Sequence, residues 1–434
     1  MVCANASLEL AKGSEVYVFT GRTDSKNPVF TVRDYEYGPL KVRAVNLWKF
    51  YRPECRENYF NPGIEPLFER YIKEIRPNII HYHSLQAMGA SILSIGARHG
   101  IPQVLTMHDW WWMCTDLFLV DREMRFCKES VDIEKCTCCG VNPKFYRERL
   151  TYLKKQLDYV EKIFTPSAFL RESLVRNGFD GNKITVLENG VTRKTPIYPK
   201  VKSVLVRFGY FGGDNLHKGI HVLWEAISGL KGGCEVRLYG IEETPGISMA
   251  APERNFGYWI KRCWYLLLHQ TPQYILKKLW KVTCRTLFEK KWPTVMEDIG
   301  KTPKVRTFPH FNHDDIGNIF SEIDILIIPS VMLESFNIVA RESFLYSVPV
   351  ICSDSGGLMD IVVDGINGLV FKRGYTEGLR ASMQRVIENP MLIDRLKKGI
   401  DVSRIKSAEE QAARAMSVYR EVLRSRSGVD AAQT

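Results

Sequence analysis

Two glutamates in the C-terminal half of the chain stand eight residues apart in a segment suited to a phosphorylated ligand. Glu334 follows an apolar run of strand length and precedes a helical pattern that continues to about Tyr346, and Glu342 lies within that pattern. The first N–H groups of a helix have no acceptors within it and carry the positive end of its dipole, which suits a diphosphate. The two carboxylates can accept hydrogen bonds from sugar and ribose hydroxyls. The residues at this predicted helix start are Phe336, Asn337, Ile338 and Val339.

The wider segment is more specific than the two glutamates alone. Most glutamates are solvated, so a spacing of eight residues by itself also fits two surface carboxylates. Here the glutamates follow Pro329-Ser330, the helical pattern ends before Pro349, and Ser355-Gly356-Gly357 forms a predicted tight turn. Glycines in such a turn let the backbone approach a ligand closely.

Residues 329–371 resemble the signature of the family 4 retaining glycosyltransferases, which have the GT-B fold. Four further segments resemble this family in the same order and extend the resemblance over nearly the whole chain. They are TMHD at 106–109, TPS at 165–167, NGV at 189–191 and YFGGDNLHKG at 210–219. The resemblance implies an α/β protein with two Rossmann-like, doubly wound parallel-sheet domains that face a cleft.

The resemblance also implies roles for individual residues. Lys218, with Gly212 in the same loop, would bind the donor diphosphate as a point charge. Glu334 would hold hydroxyls of the transferred sugar, and Glu342 would hold the ribose. His108 would stabilise positive charge at the anomeric carbon, so His108 and Glu334 are the catalytic candidates. The donor would be a nucleotide-diphosphate sugar, and catalysis would need no cofactor, because the protein mostly positions groups and stabilises charge.

Residue chemistry alone leaves simpler interpretations open. Lys218 also fits a solvated loop lysine, and His108 also fits a hydrogen-bonded histidine at a strand end. His81 and His83 are interpreted as structural. The chain also departs from the family at two positions: Gly213 replaces a basic residue that usually follows the glycine of the first C-domain loop, and Asp360 replaces a Glu.

Apolar runs of strand length alternate with helical patterns along the chain, and these segments must position the residues named above. Repeated strand–helix–strand units predict parallel sheets. We expect residues 1–195 to form an N-terminal, acceptor-side domain and residues 203–407 to form the nucleotide-sugar domain. The polar, proline-containing stretch 192–202 would link them, and the helix at 408–425 would pack back on the first domain. Ligands of open parallel sheets bind at the carboxyl ends of the strands, so the cleft is the expected site.

The chain opens with a helical pattern at Ala4–Ala11 that leads directly into a predicted strand at Glu15–Thr20. A Rossmann-like domain normally opens with a strand and a glycine loop, so the N-domain is expected to lack both. Three explanations stay open: a start codon assigned too late, which we favour, a damaged gene, or a chain that works without the loop.

Cysteine usage argues against a disulfide framework, because the chain has eleven cysteines and no recognisable secretory signal. Five of them lie between positions 114 and 139. Four could form a closed structural zinc site, although their spacing is not that of a standard finger. These four are Cys114, Cys127, Cys136 and Cys139. The alternative is a group of reduced thiols in an ordered loop.

The formal net charge of +11 predicts an anionic partner, and residues 253–292 carry nine Lys or Arg against two Glu. These residues belong to an insertion at about 245–303 that combines a basic helical face with tryptophans. That pattern fits peripheral contact with an anionic membrane, and equally a helical hairpin packed on its own domain. No nucleic-acid module is recognisable, so nucleic acid is not expected as a partner.

We therefore predict a glycosyltransferase that moves a sugar, with retention, to a glycan or lipid-linked acceptor, in surface polysaccharide or glycoconjugate synthesis. The expected location is the cytoplasm, or peripherally the inner face of the membrane. Two alternatives remain: a nucleotide-sugar epimerase on the same fold, and a non-catalytic protein that binds sugar nucleotides or membranes.

Overall fold

The structure is a computed structural model of the chain. It describes residues 2–50, 55–121, 126–127, 142–193, 195–201, 203–241 and 303–427. The predicted insertion at 245–303 therefore lies outside the described residues except for its last position.

The described residues of the N-terminal half form seven strands in two sheets. Strands β1, β2 and β3 form a three-stranded sheet in the order β1-β3-β2, in which β1 is parallel and β2 antiparallel to β3. Strands β4 to β7 form a parallel four-stranded sheet in sequence order. The strands are β1 (Tyr17–Arg22), β2 (Val32–Tyr37), β3 (Leu40–Asn46), β4 (Ile80–Tyr82), β5 (Gln103–Thr106), β6 (Lys162–Thr165) and β7 (Ile184–Val186).

In the part of this half that the structure describes, five α-helices accompany these strands, and one of them packs against both sheets. They are α1 (Val2–Leu10), α2 (Glu65–Ile75), α3 (Ile92–Arg98), α4 (Pro143–Gln156) and α5 (Ala168–Arg176). In α2, the Phe68 ring lies 5.4 Å from the ring of Phe19 on β1 and 6.1 Å from that of Tyr82 on β4. The two sheets thus share one helical layer and one apolar core, although no ladder joins β1 to β4 within the described residues.

The C-terminal half is a parallel six-stranded sheet in the order β10-β9-β8-β11-β12-β13. Its strands are β8 (Val206–Tyr210), β9 (Cys234–Tyr239), β10 (Lys304–Phe308), β11 (Ile325–Ile328), β12 (Val350–Ser353) and β13 (Gly368–Phe371). The middle strands are buried along their whole length, as expected for a parallel sheet covered on both faces. Its helices are α6 (Ile220–Ile227), α7 (Ile316–Ser321), α8 (Ile338–Leu345), α9 (Thr376–Glu388) and α10 (Met391–Lys398).

A last helix, α11 (Ala408–Ser427), returns to the N-terminal half. Its residues Val418 and Tyr419 are buried in one apolar cluster with Val104 of β5 and Phe164 of β6. Helix α1 also packs against α11. The chain therefore crosses twice between the two halves, once at 192–202 and once before α11.

The predicted fold class is confirmed: the protein is α/β, with two Rossmann-like domains built on parallel sheets. The hairpin formed by β2 and β3 was not predicted, and it separates the N-terminal strands into two sheets. Within the described ranges, no helix combines the length and apolar character needed to cross a lipid bilayer.

Candidate active site

The loop after β8 carries Lys218 to the carboxyl edge of the C-terminal sheet. A 3₁₀ turn at Leu216–Lys218 ends at Gly219, whose φ of +81° favours glycine. A Cβ at this glycine would lie 1.8 Å from the carbonyl oxygen of Pro329, so another side chain would force the two loops apart. The carbonyl of His217 also accepts the N–H groups of Val331 and Met332, at 3.0 and 3.1 Å. These contacts fix the Lys218 loop against the loop that follows β11.

Glu334 is buried at the end of that second loop, with 4% of its surface exposed. Its Oε1 accepts hydrogen bonds from Lys218 Nζ at 2.9 Å and from Ser330 Oγ at 2.5 Å. Its backbone N–H donates to Ser355 Oγ at 3.0 Å, and its carbonyl accepts the N–H of Gly357 at 2.7 Å. The carboxylate is therefore held by side chains, and the backbone by the predicted Ser-Gly-Gly turn.

Helix α8 begins three residues after Ser335, at Ile338, and its cap is formed by Asn337. The Asn337 backbone has a φ of 61°, and its Oδ1 accepts the N–H of Ala340 at 2.9 Å. The N–H groups of Ile338 and Val339 precede the intrahelical ladder, so they are donors that a ligand can use. The structure thus places the predicted helix start directly after Glu334.

A buried arginine supports this loop from inside the domain. Arg341 is 2% exposed, and its guanidinium donates to the carbonyls of Phe336 and Asn337. It also stacks on the Phe336 ring, 3.4 Å from its centroid. Burial lowers the pKa of Arg341 to about 10, which leaves it charged at neutral pH. This positive charge lies beneath the helix start and adds to the dipole there.

Glu342 lies in the middle of α8 and is also buried, at 7% exposure. Its Oε1 is 2.9 Å from Nε2 of His313, which belongs to a 3₁₀ turn after β10. The two glutamates of the motif therefore have different partners: Lys218 contacts Glu334, and His313 contacts Glu342.

His108 lies two residues beyond the end of β5 in the N-terminal half and contacts His83, the residue after β4. Its Nε2 lies 2.8 Å from Nδ1 of His83, and the two rings are nearly coplanar, at 17°. Burial lowers the pKa of His108 to about 4, so the ring is neutral at pH 7. A neutral imidazole can act towards a sugar as a hydrogen-bonding group or dipole, and not as a cation.

Direct contacts join the segment of His108 to the segment of Glu334 across the two halves. The indole Nε1 of Trp110 donates to the carbonyl of Leu333 at 2.9 Å, and both residues are buried. The Leu333 side chain belongs to the apolar core of the N-terminal half. In addition, the ring of Phe118 stacks on that of His217 at 4.1 Å. The catalytic candidates of both halves thus come from adjoining loops of one cleft.

A cavity of about 340 Å³ opens between the halves beside Leu333. Helix α5 contributes Phe169 and Glu172 to its wall, and the C-terminal half contributes carboxylates and two basic residues. The further lining residues include Asp354, Asp360, Lys372 and Arg373. Charges of both signs next to an aromatic ring suit a polyhydroxylated ligand better than a purely anionic or apolar one.

The two departures from the family pattern have structural explanations. Gly213 has a φ of +59°, and a Cβ there would lie 3.2 Å from the carbonyl oxygen of Gly240, so this backbone favours glycine. Gly212, beside it, lies over the hydroxyl end of the Tyr210 ring. Asp360 accepts the N–H of Ala168, at the start of α5, at 3.2 Å. The shorter acid therefore makes a contact between the halves.

The zinc prediction falls partly outside the described residues. Cys114 is buried in the N-terminal core, and Cys127 packs against it, but Cys136 and Cys139 lie outside the described ranges. Within those ranges no group of three or more metal-ligating side chains is clustered. The four-cysteine site stays a prediction, and so does the membrane contact of the insertion.

The contacts of several residues that shape the site were not predicted from the sequence. Ser330 and Ser355 hold Glu334, His313 contacts Glu342, and His83 contacts His108. A sequence signal existed for three of them: Ser330 and Ser355 belong to the quoted segment, and His83 follows a strand next to that of His108. The sequence carries no comparable signal for His313, because its approach to α8 depends on the tertiary fold.

Two family models match the chain in separate regions. Residues 3–194 match "Glycosyltransferase Family 4", and residues 289–401 match "Glycosyl transferases group 1". Among curated relatives, a D-inositol 3-phosphate glycosyltransferase of a Nocardioides species is 31% identical over 122 residues. That alignment covers 28% of this chain and 26% of the relative. The chain thus spans about a quarter of the length of this relative.

Solved structures resemble the chain over nearly its whole length. Sucrose-phosphate synthase from Thermosynechococcus elongatus is 18% identical with a TM-score of 0.64, over 98% of this chain and 93% of that one. HepE from Anabaena in complex with UDP is 14% identical with a TM-score of 0.55, over 93% of this chain and 100% of that one. At these identities the likeness concerns the fold.

Proposed function

Because the chain belongs to the family 4 type of GT-B glycosyltransferases, we propose that it transfers a sugar from a nucleoside diphosphate to a hydroxyl of an acceptor. The observation that carries this proposal is the contact of Lys218 with Glu334 next to the start of α8. A positive side chain, a buried carboxylate and free helix N–H groups within one small region match the parts of a sugar diphosphate.

In the proposed complex, the diphosphate binds Lys218 and the N–H groups of Ile338 and Val339. Glu342 accepts hydrogen bonds from the ribose, and Glu334 accepts them from the transferred sugar. The HepE structures contain UDP or UDP-glucose, which supports a nucleoside diphosphate sugar as the donor class. Lys218 and the helix start supply the positive charge for the diphosphate, so the proposal needs no catalytic metal or cofactor.

The transfer proceeds with retention in this proposal. The bond between the anomeric carbon and the donor phosphate oxygen breaks, and a bond from that carbon to the acceptor oxygen forms on the same face. The acceptor's proton passes to the departing phosphate. His108, from the N-terminal half, stabilises the positive charge that develops at the sugar.

The acceptor is a glycan or a lipid-linked glycan that enters the cavity between the halves. Glu172 and Asp354 offer acceptors for hydroxyl groups, Lys372 offers a donor, and the ring of Phe169 offers an apolar face. A role in surface polysaccharide or glycoconjugate synthesis follows from this acceptor class. Peripheral membrane contact would come from the basic insertion and would bring the enzyme to a lipid-linked acceptor.

The test is a screen of UDP-, ADP- and GDP-sugars for thermal stabilisation, followed by product analysis. A ligand at about 100 times its Kd adds about 2.7 kcal/mol to the free energy of unfolding. The proposal predicts stabilisation by one donor and acceptor-dependent release of its nucleoside diphosphate. A new sugar nucleotide formed without release would identify an epimerase. Stabilisation without any product, with a panel of glycan acceptors present, would identify a non-catalytic binder.

A further inference from the structure

Four polar side chains in and just beyond β4 and β5 form two contacting pairs, His81 with Thr106 and His83 with His108. In the ladder His81 is paired with Val104 and Tyr82 with Leu105, so alternate residues of the two strands point to the same face. His81 Nε2 lies 2.7 Å from Thr106 Oγ1, and two residues further on His83 Nδ1 lies 2.8 Å from His108 Nε2. Because every second side chain points to the same face, the contact of His81 with Thr106 lies next to the contact of His83 with His108.

The contact between His83 and His108 restricts the protons that these rings can carry. A hydrogen bond between two ring nitrogens needs one protonated nitrogen and one lone pair. Nε2 of His108 is occupied by this bond, so only Nδ1 of that ring is left for a ligand. Within the described residues no carboxylate lies within ion-pair distance of either ring. The surroundings therefore offer neither ring the counter-ion that would favour its cationic form.

Contacts of His81 hold His83 in place. The His81 and His83 rings lie 4.2 Å apart, and His81 Nδ1 is hydrogen-bonded to the hydroxyl of Tyr419, which arrives from α11. Burial lowers the pKa of His81 to about 3 and lowers that of His83 well below its usual range. His83 lies between the neutral rings of His81 and His108. It therefore has little freedom to break its hydrogen bond with His108.

We propose that His83 is a positioning residue that fixes His108 in one neutral tautomer, protonated at Nε2, with a lone pair on Nδ1. In this state His108 Nε2–H donates to His83 Nδ1. The Nδ1 lone pair of His108 is then the feature offered to the cleft. The inference rests on the proposed function for its purpose, because a lone pair, and not an N–H, stabilises positive charge at an anomeric carbon.

The test is the tautomeric state of His108, read by long-range proton–nitrogen correlation spectra of the whole chain with ¹⁵N-labelled histidine at pH 7. The nine histidines are assigned by single substitution. In the wild type we expect His108 as a single tautomer protonated at Nε2. His83→Leu removes the acceptor, and the ratio of the two tautomers falls about fivefold, the worth of a typical neutral hydrogen bond.

Two further variants separate positioning from general damage. In His83→Asn the amide oxygen can replace Nδ1 as acceptor, so the tautomer ratio stays within about twofold of the wild type. In His99→Leu, at a surface histidine that contacts Glu69, the His108 signals stay unchanged. A wild-type His108 that is protonated on both nitrogens, is protonated at Nδ1, or populates both tautomers equally would overturn the inference. So would an unchanged ratio in a folded His83→Leu protein.

This measurement needs no substrate, so its failure is distinct from failure of the proposed function. Once a donor is found, the same variants give a second readout. His83→Leu lowers kcat with little change in donor KM, and His83→Asn restores it. Equal losses of kcat in both variants would contradict a role that depends on the hydrogen-bond acceptor.

Discussion

The ammonium nitrogen of Lys218 lies 2.9 Å from Oε1 of Glu334, although 116 residues separate the two along the chain. Glu334 is buried, whereas 35% of the Lys218 side chain is exposed. The carboxylate of Glu334 is therefore fixed in the interior, whereas the ammonium of Lys218 is accessible to solvent. An accessible ammonium held beside a helix start can reach an incoming phosphate without losing its anchor on the carboxylate.

Lys218→Met is expected to weaken binding of a nucleoside diphosphate by about tenfold or more, and to leave binding of the uncharged nucleoside unchanged. The reason is that a charge-assisted hydrogen bond contributes about 1.5–3 kcal/mol. Titration calorimetry with UDP and with uridine measures the difference. Lys398→Met, at an exposed lysine on α10, is the matched control. Equal loss for UDP and uridine would contradict a contact to the diphosphate.

Glu342→Gln is expected to weaken UDP binding by roughly tenfold while binding of inorganic pyrophosphate changes little, because the carboxylate serves the ribose. Competition by pyrophosphate against a fluorescent nucleotide gives both affinities. Glu377→Gln, at an exposed glutamate on α9, should have no effect on either. If pyrophosphate binding fell as much as UDP binding, Glu342 would belong to the diphosphate site instead.

Trp110→Phe removes the donor to the carbonyl of Leu333 and leaves a buried acceptor unpaired. We expect the free energy of unfolding to fall by about 1–3 kcal/mol in urea titrations, and the two halves to separate more easily. Trp111→Phe is the comparison, because its indole bonds Asn58 within the N-terminal half. Only Trp110→Phe should increase the radius of gyration in X-ray scattering. The same increase in both variants would argue against a contact that closes the cleft.

Stability is expected to fall as the pH drops below about 6.5. Burial lowers the pKa of His81 to about 3 and of His108 to about 4, so the unfolded chain takes up protons between pH 6.5 and 4 that the folded chain does not. Each such group reduces the free energy of unfolding by up to about 1.4 kcal/mol per pH unit in this range, and contributes nothing to the slope well above pH 6.5.

Urea unfolding of the wild type and of His83→Asn between pH 4 and 8 checks this expectation. Burial also lowers the pKa of His83, so removing it should reduce the slope below pH 6.5 by about one proton and leave the slope near pH 8 unchanged. Parallel curves for the two proteins over the whole range would show that His83 does not stay neutral in the folded state.

Much of the sheet architecture could be predicted from the sequence, because buried parallel strands are continuous apolar runs. The strand predicted at Glu15–Thr20 overlaps β1, and the apolar run expected before Glu334 is β11. The hairpin of β2 and β3 escaped prediction because β2 is exposed along its length and carries Arg33, Asp34 and Glu36. Such a strand has no apolar pattern to recognise.

From residue chemistry alone, the site was predictable only as far as its residues lie within one motif, and Lys218 and His108 were assigned to it through the family resemblance. Glu334 and the start of α8 are adjacent in sequence, so their proximity followed from the helix boundary. The partners Lys218 and His313 lie 116 and 29 residues away in sequence from their glutamates, and only the packing of loops at the sheet edge brings them together. Hydrogen bonds between distant loops leave no periodic trace in a single sequence.

The most direct test of the account is a crystal structure of the chain with a bound nucleoside diphosphate. We expect the diphosphate within hydrogen-bond distance of Lys218 Nζ and of the N–H groups of Ile338 and Val339, with the ribose at Glu342. A diphosphate bound elsewhere, with Lys218 and Glu334 still paired and apart from it, would contradict the central claim.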